Sequence, residues 1–190
     1  MNNITLFALD HAAAERLASD APRFAQAHEL VLAPHEATVV AIADGTARLL
    51  SAGGAVMPWV GYLALDGPMR RVVGTCGFKG APDADGAVEI AYFTFSGEEG
   101  RGVATAMAEA LVRVARASAQ QVAVVRAHTL AERNASCRVL EKVGFEHAGS
   151  IMDPEDGLVW RWEQPVPHHD ADLRRRGLTS AEADTGFIEL

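Results

Sequence analysis

The chain has 190 residues, 49% hydrophobic and 22% charged, which suits one globular domain with a core large enough to need no disulfide or metal staple. Seventeen basic against 25 acidic residues give a net charge of −8, which argues against non-specific nucleic-acid binding. The two cysteines, Cys76 and Cys137, lack paired spacing, so neither a disulfide framework nor a metal site is expected; no apolar run approaches the ~20 residues of a membrane span and the N-terminus carries no leader pattern, so a cytoplasmic location is expected.

Ile4 to Ala8 reads as a first strand. Asp10 is placed as the N-cap of HAAAERLA, and Asp20 as the cap of a second short helix starting near Pro22. Pro34 to Leu50 is helical, with a break expected at Asp44-Gly45. Met57 to Leu65 and Met69 to Phe78 flank the turn signal Asp66-Gly67-Pro68 and predict an antiparallel hairpin. After a turn at Asp83 to Gly86, Ala87 to Phe95 forms the next strand, with Glu89, Ala91, Phe93 and Phe95 on one face and Val88, Ile90, Tyr92 and Thr94 on the other.

A helix then runs to about Ser118, with Met107, Ala110, Leu111 and Val114 as its core stripe. Val122 to His128 is a strand whose valines predict burial on both faces. Arg133 to Val143 is a helix closed by Gly144, and Phe145 to Ile151 pairs with Leu158 to Gln164 in a final hairpin. Residues 1–164 thus form a single domain. Residues 165–190 are a polar, charged tail with too little apolar content to fold alone, and its His168-His169 pair reads as solvated.

The chemistry gathers at VEIAYFTFSGEEGRGVAT, Val88 to Thr105: a strand, a loop with Gly97, Gly100 and Gly102, and a helix start. Glycines let the backbone approach a ligand, and the first helical N–H groups, which lack partners inside the helix, point at it, so a diphosphate is the expected guest. A P-loop needs Gly-Lys-Ser/Thr here, and neither lysine, Lys79 or Lys142, lies in the loop. A dinucleotide fingerprint needs a small residue where Thr105 stands and an acidic residue ending the next strand, where Arg126 to Thr129 stand instead.

The six residues Glu99, Gly100, Arg101, Gly102, Val103 and Ala104 resemble the acetyl-CoA loop of the GNAT superfamily of N-acetyltransferases, Gln/Arg-x-x-Gly-x-Gly/Ala, with a carboxylate replacing its first residue. ERNASCRVLEKVGF, Glu132 to Phe145, resembles the helix of the GNAT branch containing the ribosomal-protein alanine N-acetyltransferases. The resemblance covers roughly residues 57–164 and implies a mixed α/β fold, a central, mostly antiparallel sheet of about seven strands flanked by helices, and acetyl-CoA as co-substrate. It implies that the backbone of Phe93, Thr94 and Phe95 holds the pantetheine arm and that Gly100, Arg101, Gly102, Val103, Ala104 and Thr105 take the pyrophosphate. Asn134 fits a cofactor-contacting asparagine within a one-residue offset.

The acceptor implied is a primary amine, on a peptide or protein N-terminus or on a small molecule, attacked directly through a tetrahedral intermediate; a homodimer is compatible with the sequence. A protonated amine must lose a proton before it attacks, and Glu89, a carboxylate in mid-strand, is the base expected, with His128 as the alternative. Ser136 is placed to contact the thioester sulfur or order a water, or else to cap its helix. Leu140 stands where many members of the superfamily carry a tyrosine acid. The rival to an enzyme is a non-catalytic acyl-CoA-binding module.

Overall fold

The computed structural model describes residues 4–53, 56–154 and 156–167. The elements are β1 (Ile4–Leu9), α1 (His11–Ser19), α2 (Ala21–Ala27), α3 (Glu36–Ser51), β2 (Gly61–Asp66), β3 (Arg71–Phe78), β4 (Ala87–Thr94), α4 (Val103–Ala117), β5 (Val124–Leu130), α5 (Ala135–Val143), β6 (Glu146–Asp153) and β7 (Gly157–Pro165). Seven strands lie in the order β1-β2-β3-β4-β5-β7-β6, and every neighbouring pair is antiparallel except β4 with β5. The mixed α/β architecture expected from the sequence is therefore present.

Local chemistry sets the helix ends. Asp10 Oδ1 accepts from the Ala13 amide at 2.8 Å and Asp20 Oδ1 from the Arg23 amide at 3.1 Å, so both caps stand as read. Helix α3 runs unbroken through Asp44-Gly45. A central glycine costs about 1 kcal/mol against alanine, but Val39 and Ala43, both fully buried, anchor the helix just ahead of it.

Two cores lie on opposite faces of the sheet. One packs α4 and α5 through Met107, Leu111, Ala115, Cys137 and Leu140 against Val88, Ile90, Val125 and Trp162. The other packs α1 to α3 through Leu17, Phe24 and Val39 against Leu63, Leu65, Val72 and Phe95. Because α1 to α3 cover only the β1–β3 end, that face of β5 stays part-exposed at Val124, Arg126 and His128, while Val125, Ala127 and Thr129 are buried. The burial of both faces expected for this strand is thus corrected.

Packed structure also runs past residue 164: Pro165 ends β7, and Val166 is buried with its amide donating to the Ala123 carbonyl at 2.9 Å. The remainder of the expected tail, 168–190, lies outside the described residues.

Candidate active site

Strands β4 and β5 pair over three positions only, Ala87 with Val124, Val88 with Val125 and Glu89 with Arg126. Beyond Glu89, β4 continues to pair with β3, from Phe78↔Ile90 to Gly74↔Thr94, and its other edge opens into a cleft. On one side of that cleft is a cavity of about 490 Å³ lined by Tyr92, Phe93 and Thr94, by Glu99, Gly100 and Gly102 to Thr105, and by Ser136, Arg138 and Lys142. On the other side is a cavity of about 360 Å³ lined by Lys79, Glu89, His128, Asn134 and Asp156. Tyr92 and Ser136 line both, so they mark the junction.

The first cavity has the chemistry of an anion site. Gly102 is the N-cap of α4 with φ 78°, a left-handed conformation that favours glycine, and no side chain caps the helix. The amides of Val103, Ala104 and Thr105 therefore have no partner within the helix; the first internal bond is from the Ala106 amide to the Gly102 carbonyl, 3.0 Å. Arg138 and Lys142, one turn apart on α5, supply the cations of the opposite wall. The buried hydroxyl of Thr94 has no protein partner.

Several expected residues are placed otherwise. Arg101 is drawn away from the cavity by Asp66, at 2.8 Å, and by Glu98, a 4% exposed carboxylate that also binds Arg71. Only the backbone of Arg101 remains for a ligand. Phe95 leaves the cleft: its ring is buried against His35 and its amide donates to the Val73 carbonyl at 3.0 Å. Asn134 is the N-cap of α5, its Oδ1 accepting from the Cys137 amide at 3.1 Å, so capping falls to Asn134 and leaves the Ser136 hydroxyl free of that task. Glu99 folds back to accept the Gly97 amide at 2.7 Å.

At the acceptor side, Glu89 Oε1 lies 2.5 Å from Lys79 Nζ and 3.1 Å from His128 Nδ1, so the two expected bases are neighbours. Desolvation acts against the Lys79 charge, but hydrogen bonding and attraction from Glu89, with help from Asp153 and Asp156, hold its pKa above the usual lysine value. The Tyr92 hydroxyl donates weakly to the Ser136 carbonyl at 3.4 Å, and burial pushes its pKa well up. Sequence reading missed Lys79, Tyr92, Glu98, Arg138 and Lys142. The available signal was the i, i+4 spacing of Arg138 and Lys142 at the end of a helix facing a glycine loop.

The model of the Acetyltransferase (GNAT) domain matches residues 5–146. The chain belongs to the GNAT family. It is an acetyltransferase of the acetyl-CoA-dependent kind. No curated protein sequence matches it significantly. Among solved structures, the ribosomal L7/L12 alpha-N-protein acetyltransferase RimL in complex with coenzyme A is 16% identical, with a TM-score of 0.58 over 89% of this chain and 96% of that one. The ribosomal-protein-S5-alanine acetyltransferase of Vibrio fischeri is 15% identical, with a TM-score of 0.58 over 87% and 94%. The aminoglycoside acetyltransferase AAC(6')-Ib in complex with coenzyme A is 17% identical, with a TM-score of 0.58 over 92% and 99%. At these identities the likeness is one of fold.

The residues present fit the GNAT co-substrate. Free helix amides, two cations and an unpartnered buried hydroxyl face one cavity, as a diphosphate with an amide-bearing arm requires. Among the described residues no cluster of His, Cys, Asp and Glu is fit to hold a metal, and no helix is long and apolar enough to cross a membrane.

Proposed function

We propose that this GNAT acetyltransferase acts on a primary amine, of a small molecule or of a peptide or protein N-terminus, which enters opposite the donor and meets it at Tyr92 and Ser136. The single observation that carries this reading is the three-rung pairing of β4 and β5, which leaves a slot through the sheet with an anion-binding cavity on one side and a carboxylate–imidazole pair on the other.

The amides of Val103 to Thr105, with Arg138 and Lys142, hold the diphosphate; the free edge of Phe93 and Thr94 holds the pantetheine arm. Acetyl-CoA supplies an activated acyl group as its thioester. Glu89 and His128 take the proton that the ammonium must shed: His128 can receive it and Glu89, 3.1 Å away, stabilises the imidazolium. Lys79 holds the carboxylate in place. Ser136, at the junction, offers a hydroxyl to the thioester sulfur. Cys137 is buried and is left out of the reaction, so transfer is direct.

The test is thiol release from acetyl-CoA with a panel of amines, read beside calorimetric binding of CoA. Glu89→Gln and His128→Asn are each expected to lower kcat by about 10²–10⁴ while CoA binding stays within about twofold. Full kcat in both variants would discard the assigned base, and absence of CoA binding to the unaltered protein would discard the site.

A further inference from the structure

The acceptor side of the cleft has two ends of opposite charge. Lys79, Glu89 and His128 stand at the middle, shared by the cavity described above and by a second one of about 310 Å³. Towards the first lies Asp156, and Asp153 joins it in acting on the Lys79 ammonium. Towards the second lie Arg126 and Arg161, with Asp83 and Ile151. The lining of that second cavity holds three permanent cations, Lys79, Arg126 and Arg161, against two carboxylates, Asp83 and Glu89, in a chain whose net charge is −8.

The two arginines are not equivalent. Arg126 is committed: its Nε donates to Glu163 Oε1 at 2.9 Å and its Nη1 to Asp83 Oδ2 at 3.1 Å. Arg161 stands directly opposite His128 in the β5–β7 register, on the same sheet face. Its Nε is buried without a hydrogen-bond partner; the nearest carboxylate oxygen is the same Glu163 Oε1, 3.5 Å away and already taken by Arg126. A structural ion pair would have closed to hydrogen-bond distance. What remains is a guanidinium one strand from the base that lines the cavity with its side chain 36% exposed, so that its outer N–H groups can meet a ligand there.

We propose that the acceptor amine also carries a carboxylate: Arg161 receives the carboxylate while Glu89 and His128 receive the ammonium. This rests on the reading of the cleft as the acetyl-transfer site and narrows its substrate. A carboxylate–imidazole pair and a guanidinium one strand apart, His128 opposite Arg161, match an amine and a carboxylate on one short molecule, and guanidinium grips a carboxylate through two parallel N–H donors. The carboxylate can be the α-carboxylate of a free amino acid or an acidic side chain beside a peptide N-terminus.

The experiment is steady-state acetyl transfer by the full chain to matched acceptors: free amino acids against their carboxamides, and short peptide amides with Asp against Asn at the second position. The expected result is a preference for the carboxylate member of about tenfold or more in kcat/KM, expressed in KM. The pair that shows it identifies the source of the carboxylate. In Arg161→Gln the ratio should fall to within about twofold of one, and Arg161→Lys should restore part of it.

Equal kcat/KM within every pair, or a preference that survives Arg161→Gln, overturns the proposal. Transfer to amines without such a preference discards the anionic subsite and leaves acetyl transfer standing; transfer to no amine at all discards the reading beneath both.

Discussion

Glu99 is in the lining of the donor cavity, at the position where the related acetyl-CoA loops carry Gln or Arg, and it brings a negative charge close to the proposed diphosphate site. Its bond to the Gly97 amide needs only an acceptor oxygen, which an amide side chain also has. Glu99→Gln is therefore expected to tighten CoA two- to fivefold, about 0.4–1 kcal/mol for removing one solvent-screened like charge, measured by calorimetry at low salt; unchanged affinity would mean the diphosphate lies out of its reach. The chain's two tyrosines offer a second probe. Burial raises the pKa of both, with Cys76 adding to the rise at Tyr62. Folding thus holds both phenols protonated, so their contribution to stability is complete below the ordinary tyrosine value of about 10 and is lost as pH rises towards the folded-state values. At pH 10 the native protein should show little of the phenolate band, which should appear together with base unfolding; early, half-complete ionisation would place one ring in solvent.

At the scale of elements, the β3–β4 contact beneath the cleft is tight. A Cβ built on Gly74 would lie 2.7 Å from the Phe93 carbonyl oxygen and 3.2 Å from Met107 Cε. The methionine can turn aside, but the carbonyl belongs to the strand that borders the donor cavity. Gly74→Ala is expected to cost about 1–3 kcal/mol, read as a lowered Tm, and to weaken CoA binding as Phe93 shifts; an unaltered Tm would show that the strands separate freely. The elements themselves were largely legible in the sequence because their signals are local: Asp10 and Asp20 cap, Gly144 closes α5, and Asp66-Gly67-Pro68 turns. What failed was non-local. The Arg101 side chain reads as a phosphate ligand until Asp66, from another hairpin, meets it together with Glu98, which Arg71 of that same hairpin holds in place. The valines of β5 read as doubly buried until the short reach of α1 to α3 leaves one face open. Arg138 and Lys142 gain their meaning only when α5 packs beside α4.

At the scale of the whole molecule, the seven strands divide into a four-stranded half, β1 to β4, and a three-stranded half, β5, β7 and β6, joined within the sheet by the three rungs at Glu89 and by α4 and α5 across one face. The assigned donor site exists only in the folded chain, so CoA should stabilise by RT ln(1 + [L]/Kd), about 2.7 kcal/mol at one hundred times Kd, seen as a concentration-dependent rise in Tm; a Tm indifferent to CoA would contradict that site. The same division leaves one edge of β4 beyond Glu89 without a strand partner among the described residues. If the pantetheine amides pair along β4, then Tyr92 to Thr94 are backbone that evolution left for another molecule to finish, and amide exchange along that edge would slow only while donor is present. The protein would then carry in its own main chain a gauge of whether it is charged for a turnover or spent.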